Sequence, residues 1–329
     1  MIPNHPSFRT SSRTAILAAA GLMIAACGGE EDTSSAAAAT DGSRPVAETR
    51  AGAAKPAAAD PNALPAPKCP AKTDKGLPGP DILGLKLGMS KDMALNIVRC
   101  HLGADAFIDP QRNWIHGLKS HQLELGPQAF MVQQGETSAC NFRTFNDMQK
   151  CGPGNRVWAH VSEKITLATP GVPGRETLVG VWRTQNFKPD EMPAVESLVS
   201  ALTQKYGAPQ FRDKRENRRG DLSRLRWITD VNGQPVTDPN PLLRRCGFNI
   251  DGRMNSLSWS EGCGLNLAVE IMHSPDNPAL AKELSIGMLH QDNLFQYGND
   301  LQAELNEIEE KRRAEELERA KKSGSDIAL

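Results

Sequence analysis

The residues in this chain best suited to chemistry are seven cysteines and seven histidines. A thiolate can take a lipid, close a disulfide, hold zinc or attack a carbonyl, and an imidazole can hold a metal or move a proton. Zinc is poorly served, because no C-x-x-C pair occurs and thiolate zinc sites are built from such close pairs. His101, His116, His121, His273 and His290 show no H-E-x-x-H or comparable ligand spacing. No G-x-S-x-G elbow, P-loop or dinucleotide fingerprint is present. These observations lead to an expectation of no catalytic residue, no metal site and no cofactor. Nor is nucleic acid an expected partner: the formal net charge is -1, and no long basic stretch precedes the C-terminal tail.

Cys27 stands apart from the other six cysteines. It ends an uncharged apolar run, Ala15 to Ala26, that follows Arg9 and Arg13. As a helix the run would rise roughly 18 Å at 1.5 Å per residue, short of the about 30 Å of a hydrocarbon core. A basic start, a short apolar centre and small residues before a cleavage point read as a secretory signal peptide over residues 1–26. The stretch Ile24-Ala-Ala-Cys27 resembles a bacterial lipobox. That resemblance implies cleavage before Cys27 and lipidation of its sulfur and amino group, giving a membrane anchor of more than one chain. The residue after Cys27 is Gly28, not the aspartate that commonly retains such proteins at an inner membrane. The resemblance therefore implies an outer-membrane, periplasm-facing location, with another envelope membrane or surface as the alternative. An ordinary signal peptide with a cysteine at its end is the other reading.

Six cysteines remain: Cys69, Cys100, Cys140, Cys151, Cys246 and Cys263. An even number in an exported chain points to disulfides. Complete pairing of six allows fifteen connectivities, and sequence does not select one. Short separations favour Cys140–Cys151 and Cys246–Cys263, leaving Cys69–Cys100 to tie the linker to the first helix. Cys140 and His160 could also be a nucleophile and its base, but an exported cysteine with a near partner is better read as oxidised.

The elements that position these residues follow from pattern. Residues 27–80, after the signal, form a linker rich in Ala, Pro and Ser, without apolar periodicity. Residues 81–189 read as a first α+β unit. It has a strand over 81–90, a helix capped by Ser90, and strands at AFMVQQG, NFRTFN, RVWAHVSEKITLAT and ETLVGVWRTQNF. Residues 190–298 read as a second unit. Asp190 caps a helix whose apolar stripe is Val195, Leu198, Val199, Leu202 and Tyr206, and Gly207 ends it. FRDKRENRRGD reads as a solvated loop. Strands follow at LSRLRWITD, LRRCGFNI, MNSLSWSEG, LNLAVEIMHS and ELSIGML. Residues 299–329 read as a charged helical tail whose apolar seam, Leu301, Leu305 and Ile308, fades after two turns. The fold class is α+β, with helices packed on antiparallel sheet. The order of elements also admits two repeated helix-plus-meander units. Trp158, Trp182, Trp227 and Trp259 fall in expected strands and are expected to pack in the core.

The stretch GLKLGMSKDMAL, residues 84–95, resembles the Gly-Met-Ser opening of small envelope lipoprotein domains. Those include the small lipoprotein of the outer-membrane barrel-assembly machinery and β-lactamase-inhibitor-like domains. The resemblance implies a turn at Gly88 and Met89 that delivers the chain into a capped helix beside an antiparallel sheet. The family usually places two helices before its strands, whereas one is read here, and the resemblance says little about activity. Anchor, tether and lack of a catalytic constellation together favour a non-catalytic lipoprotein that binds or scaffolds another envelope protein, with Leu301, Leu305 and Ile308 as candidate contacts. The alternative is an enzyme or ligand-binding module acting on cell-wall or lipid material, for which an apolar pocket with converging polar groups would be the sign.

Overall fold

The computed structural model describes residues 66–69, 71, 76–111, 118–140, 144–152, 155–216, 220–237, 240–247 and 260–324. The expected signal peptide, Cys27, most of the expected linker and residues 254–259 of MNSLSWSEG, Trp259 included, lie outside the described residues; Ser260 to Gly262 of that stretch form a turn before a strand.

Eight strands form one antiparallel sheet in the order β1-β2-β3-β4-β8-β7-β6-β5. They are β1 (Phe107–Gln111), β2 (Ala129–Ala139), β3 (Arg156–Ala168), β4 (Gly180–Asn186), β5 (Phe211–Arg215), β6 (Leu222–Asp230), β7 (Cys263–His273) and β8 (Ala281–His290). Pairing of β4 with β8, from Gly180 opposite Leu289 to Asn186 opposite Glu283, makes the sheet continuous. The architecture is α+β and dominated by the sheet.

Two helices of similar length lie on one face. In α1 (Lys91–Leu102), Ser90 caps the start, its hydroxyl accepting from Met93 N at 3.4 Å, and Gly103 ends it at φ 101°. Ala94, Leu95, Ile97, Val98 and Leu102 turn inward. They meet Phe130, Val132, Ile165, Leu167 and Val181 of the sheet. Burying each Leu, Ile or Val is worth about 1.5–3 kcal/mol. In α3 (Val195–Tyr206), the expected stripe packs on the same core. Its cap is Ala194, not Asp190. Backbone pairing decides that start: Val195 N donates to Ala279 O at 2.9 Å, and Ala281 N donates to Pro193 O at 2.9 Å. The start of α1 is tied down in a similar way, by Lys91 N to Glu176 O at 3.1 Å and Leu178 N to Met89 O at 2.8 Å.

Alternation sends every second residue to the other face. There the register aligns Gln133, Lys164, Thr184, Ser285, Glu270, Arg224 and Asp213 in one row across seven strands. The row is polar throughout, while the helix-covered face is apolar. Thr184 and Ser285 join hydroxyls at 3.0 Å, and Arg224 clasps Asp213, with one bond at 2.8 Å.

A further helix, α5 (Gln291–Gly324), leaves β8 without a break. Leu294 and Tyr297 cover Ala129, Ala168, Val179, Trp182 and Leu289 at one end of the polar face. No helix among the described residues is long and apolar enough to cross a membrane.

Several expectations need correction. Residues 82–85 form a tight turn rather than a strand: Ile82 and Leu85 pair with each other, with Leu83 at φ 58° and Gly84 at φ 81°. Of NFRTFN, Thr144 to Asn146 belong to the cap and start of a short helix, α2 (Phe145–Lys150), because the Thr144 hydroxyl accepts from Asp147 N at 3.1 Å; residues 141–143 lie outside the described residues. LRRCGFNI begins in another short helix, α4 (Leu242–Arg245), instead of a strand. FRDKR is the edge strand β5, and β1 was not anticipated.

Candidate functional site

Three cysteine pairs lie at disulfide distance: Cys69–Cys100, Cys140–Cys151 and Cys246–Cys263, with Cα atoms 5.6, 5.6 and 5.5 Å apart. The last two are the pairs that short separation favours, and Cys69–Cys100 is the pair those two leave. Cys140 is therefore engaged and offers no thiol to His160. Among the described residues, no three His, Cys, Asp or Glu side chains gather as a metal-binding group.

The pair Cys140–Cys151 closes the tip of an arm. Pairing of β1 with β2 stops at Gln133, and pairing of β4 with β3 stops at Glu163. Beyond those rows β2 and β3 continue together from Gly135 opposite Val161 to Ala139 opposite Arg156. At about 3.3 Å per residue this ribbon carries its tip roughly 15 Å past the sheet. Register shifts at Gln134/Gly135 and Glu136/Thr137 bend it. Gly135 permits the bend, since a Cβ there would collide with the backbone of His160.

The arm's root is braced. Asn186 donates to Val161 O at 2.7 Å, Lys188 meets Glu136 at 2.8 Å, and the Phe107 and Trp158 rings sit 5.9 Å apart. Glu163 receives His101 at 3.0 Å and Arg183 at 2.5 Å. Burial pushes the Glu163 carboxyl up, but these two donors outweigh it and hold the group below the usual carboxylate range.

The tip itself is α2. Phe145 and Met148 sit three residues apart, so they share a helix face, and they are 72% and 52% exposed. No residue of α2 is buried. An aromatic and a thioether side chain held in water on a covalently closed tip form an apolar knob without intramolecular cover.

The chain enters the domain at the arm's root. Lys68 and Asn96 exchange hydrogen bonds of 2.8 and 3.0 Å, and Cys69–Cys100 pins the entering segment to the last turns of α1. That end of α1 abuts the root, with His101 on Glu163 and Gly103 against Gln134.

Leu301 and Leu305 are not an open patch. They are buried with Val172, beside Leu118, Leu123, Leu125 and Tyr297, and Ile308 packs partly against the same cluster. Lys119 N donates to Gln302 at 2.7 Å and His121 bonds Asn306 at 2.7 Å, so α5 is docked through this stretch. The seam fades after two turns because those turns are what the domain covers.

A separate cleft of about 600 Å³ opens between the start of α3 and strands β5 and β6. Ser223 and His273 lie on its wall, 2.8 Å apart from Oγ to Nε2. The sequence marks His273 only as a histidine without metal-ligand spacing and does not mark Ser223, because the two are 50 residues apart and belong to no local motif. Of the other histidines, His290 is half-buried and accepts from Asn293 N at 3.1 Å, and burial pushes its pKa down. His116 lies outside the described residues. No protein-family model matches this chain, and no curated protein or solved structure shows significant similarity to it.

Proposed function

We propose that this chain is a lipid-anchored envelope protein, held through Cys27 at the periplasmic side of the outer membrane, that binds another envelope protein. The observation that carries the reading is the exposed pair Phe145 and Met148 on a disulfide-closed tip. Aromatic and methionine side chains are favoured in interface cores, and a preorganised knob loses little entropy on docking. Burying one such side chain contributes about 1.5–3 kcal/mol. The entry of the tether beside the arm's root supports the same reading, because it keeps the arm within reach of whatever the anchor neighbours.

The element order supports a further part of the reading, that the domain is two repeated helix-plus-meander units. α1 precedes β1 to β4, and α3 precedes β5 to β8. The sheet order runs 1-2-3-4 and then 8-7-6-5, as two related halves meeting at their last strands would give. Each half carries a short helix in the connection between its second and third strands and a cysteine pair that closes that connection, Cys263 of the second pair being the first residue of β7.

A photo-crosslinking residue placed at position 145 in intact membranes tests the binding reading. A single stoichiometric adduct is expected there and none from the same residue at position 276, in a turn of the other half. Equal adducts from both positions, or none from 145, would overturn it. Fatty-acid labelling of the wild type and of Cys27→Ser tests the anchor: label is expected only in the wild type.

A further inference from the structure

The geometry points to a second site, independent of the arm: we propose that Ser223 is a nucleophile activated by His273, and that the cleft around them hydrolyses small uncharged carboxylic esters.

The argument begins with the histidine's tautomer. His273 closes β7, with its backbone N donating to Asp221 O at 2.8 Å. The turn that follows is tied by Leu280 N to Asn277 O at 2.9 Å and by Ser274 N to Leu280 O at 2.8 Å. It brings the Pro278 carbonyl to 2.6 Å from His273 Nδ1. A carbonyl oxygen only accepts, so Nδ1 carries the proton of the neutral ring. Nε2 then holds a lone pair, and Ser223 Oγ, 2.8 Å away, donates to it. This is the tautomer that a general base for a serine needs, with a third group orienting the base. Pro278 acts as the positioning group.

Both side chains are nearly buried, at 9% and 5% exposure, yet both line the cleft. Ala194, Val195 and Ala279 give the cleft an apolar wall suited to a short acyl chain. Its charged rim is internally paired: Arg212 meets Glu196 at 3.3 Å and Lys214 meets Asp221 at 2.6 Å. A neutral substrate fits such a rim better than an ion. The first turn of α3 forms part of the wall; Val195 N is taken by Ala279 O, but no side chain caps the helix, so the next first-turn N–H, that of Glu196, is the donor the cleft offers to an oxyanion.

In the first step Ser223 Oγ bonds to the carbonyl carbon as its proton passes to His273 Nε2. The ester C–O bond breaks, and the imidazolium returns the proton to the leaving alkoxide. Water then attacks the acyl-serine with His273 again taking a proton. The acid leaves, and Ser223 regains its hydrogen.

The test uses the full chain purified from membranes. A fluorophosphonate probe should form an Oγ–P bond at Ser223 with loss of fluoride, mapped by peptide mass. p-Nitrophenyl acetate should be turned over by the wild type. Ser223→Ala should lose the label and at least about 100-fold in rate, and His273→Gln at least about 100-fold in labelling rate. Wild-type protein that remains unlabelled at Ser223 overturns the proposal and leaves the Ser223–His273 bond as a lock between β6 and β7. A folded Ser223→Ala variant with wild-type turnover does the same. If Ser223→Ala does not fold, the labelled residue in the wild type decides.

Discussion

Two connections in this molecule use the same parts to opposite ends. The one between β2 and β3 contains α2 and Cys140–Cys151; the one between β6 and β7 contains α4 and Cys246, which pairs with Cys263 at the start of β7. In the second, both cysteines are fully buried with Ile228 and Val236, and Leu242 and Leu243 of α4 pack onto them. Gln291 of α5 reaches in and donates to Cys246 O at 2.9 Å. The cross-link there is part of a small core. In the first connection the cross-link closes a tip that has no core, and its helix holds Phe145 and Met148 in water. A covalent clamp therefore supports either burial or display, and the neighbouring side chains decide which.

Removing the clamps should separate the two roles, and the largest difference between the two connections is expected here. Replacing Cys246 and Cys263 together by serine should cost about 3 kcal/mol, from the closed loop's entropy and the polar atoms left in a buried site. Replacing Cys140 and Cys151 together should cost under about 1 kcal/mol: a tip without a core loosens in the folded state as well, which returns part of the loop entropy. Denaturant unfolding of both double variants checks this. Equal losses would break the comparison.

The regular parts of the fold were legible in the sequence, and the irregular parts were not, for physical reasons. The Val195, Leu198, Val199, Leu202 and Tyr206 stripe of α3 and the alternation of β4 and β6 to β8 reflect faces buried against one large core. The edge strands carry no such imprint. β1 contains Pro110 and β5 is charged throughout after Phe211, and an edge tolerates both. The start of α3 was misread because backbone pairing with residues 279–281, not the Asp190 side chain, decides it. Phe145 was assigned to a strand because NFRTFN is aromatic and β-branched. The Thr144 and Asp147 cap signal is short, and six residues leave little periodicity to see. Ser223 and His273 meet only through the register of β6 with β7.

Two half-buried glutamates extend the comparison to pH, with a smaller expected effect. Glu163, at the arm's root, is held below the usual carboxylate range by His101 and Arg183, which outweigh its burial. Its stabilisation is present above its unfolded-state pKa and is lost as pH falls through the lower folded value. Glu270, in the polar row of the other half, is pushed up by burial, which Arg224 and Arg226 only partly offset. Its folded pKa lies above its unfolded value, so its contribution is complete below the unfolded value and is lost as pH rises through the folded one. Acid should therefore weaken the arm's root while relieving the Glu270 site. Glu163→Gln should flatten the acid limb of a stability–pH curve by about 1 kcal/mol, and Glu270→Gln should raise stability near neutral pH by less. Opposite slopes in the two variants support the distinction; matching slopes would remove it.

The smallest effect on stability should come from the tip, where the effect on binding should be greatest. Phe145→Ser and Met148→Ser remove side chains that touch no core, so unfolding free energy should stay within about 0.5 kcal/mol of wild type. Removing an equally large side chain from the core behaves differently: Leu305→Ala should cost about 2–5 kcal/mol. If the arm contacts a partner, the double tip variant should lose at least about 10-fold in co-purification of the protein crosslinked at position 145, because a central aromatic anchor is worth about 2 kcal/mol or more. A tip variant that unfolds early would mean that Phe145 is covered in the native chain and that α2 belongs with α4 as a builder of core. A tip variant with wild-type stability and wild-type partner recovery would leave the knob without a role and move the contact to the polar face, where Lys164→Glu would be the next substitution to make.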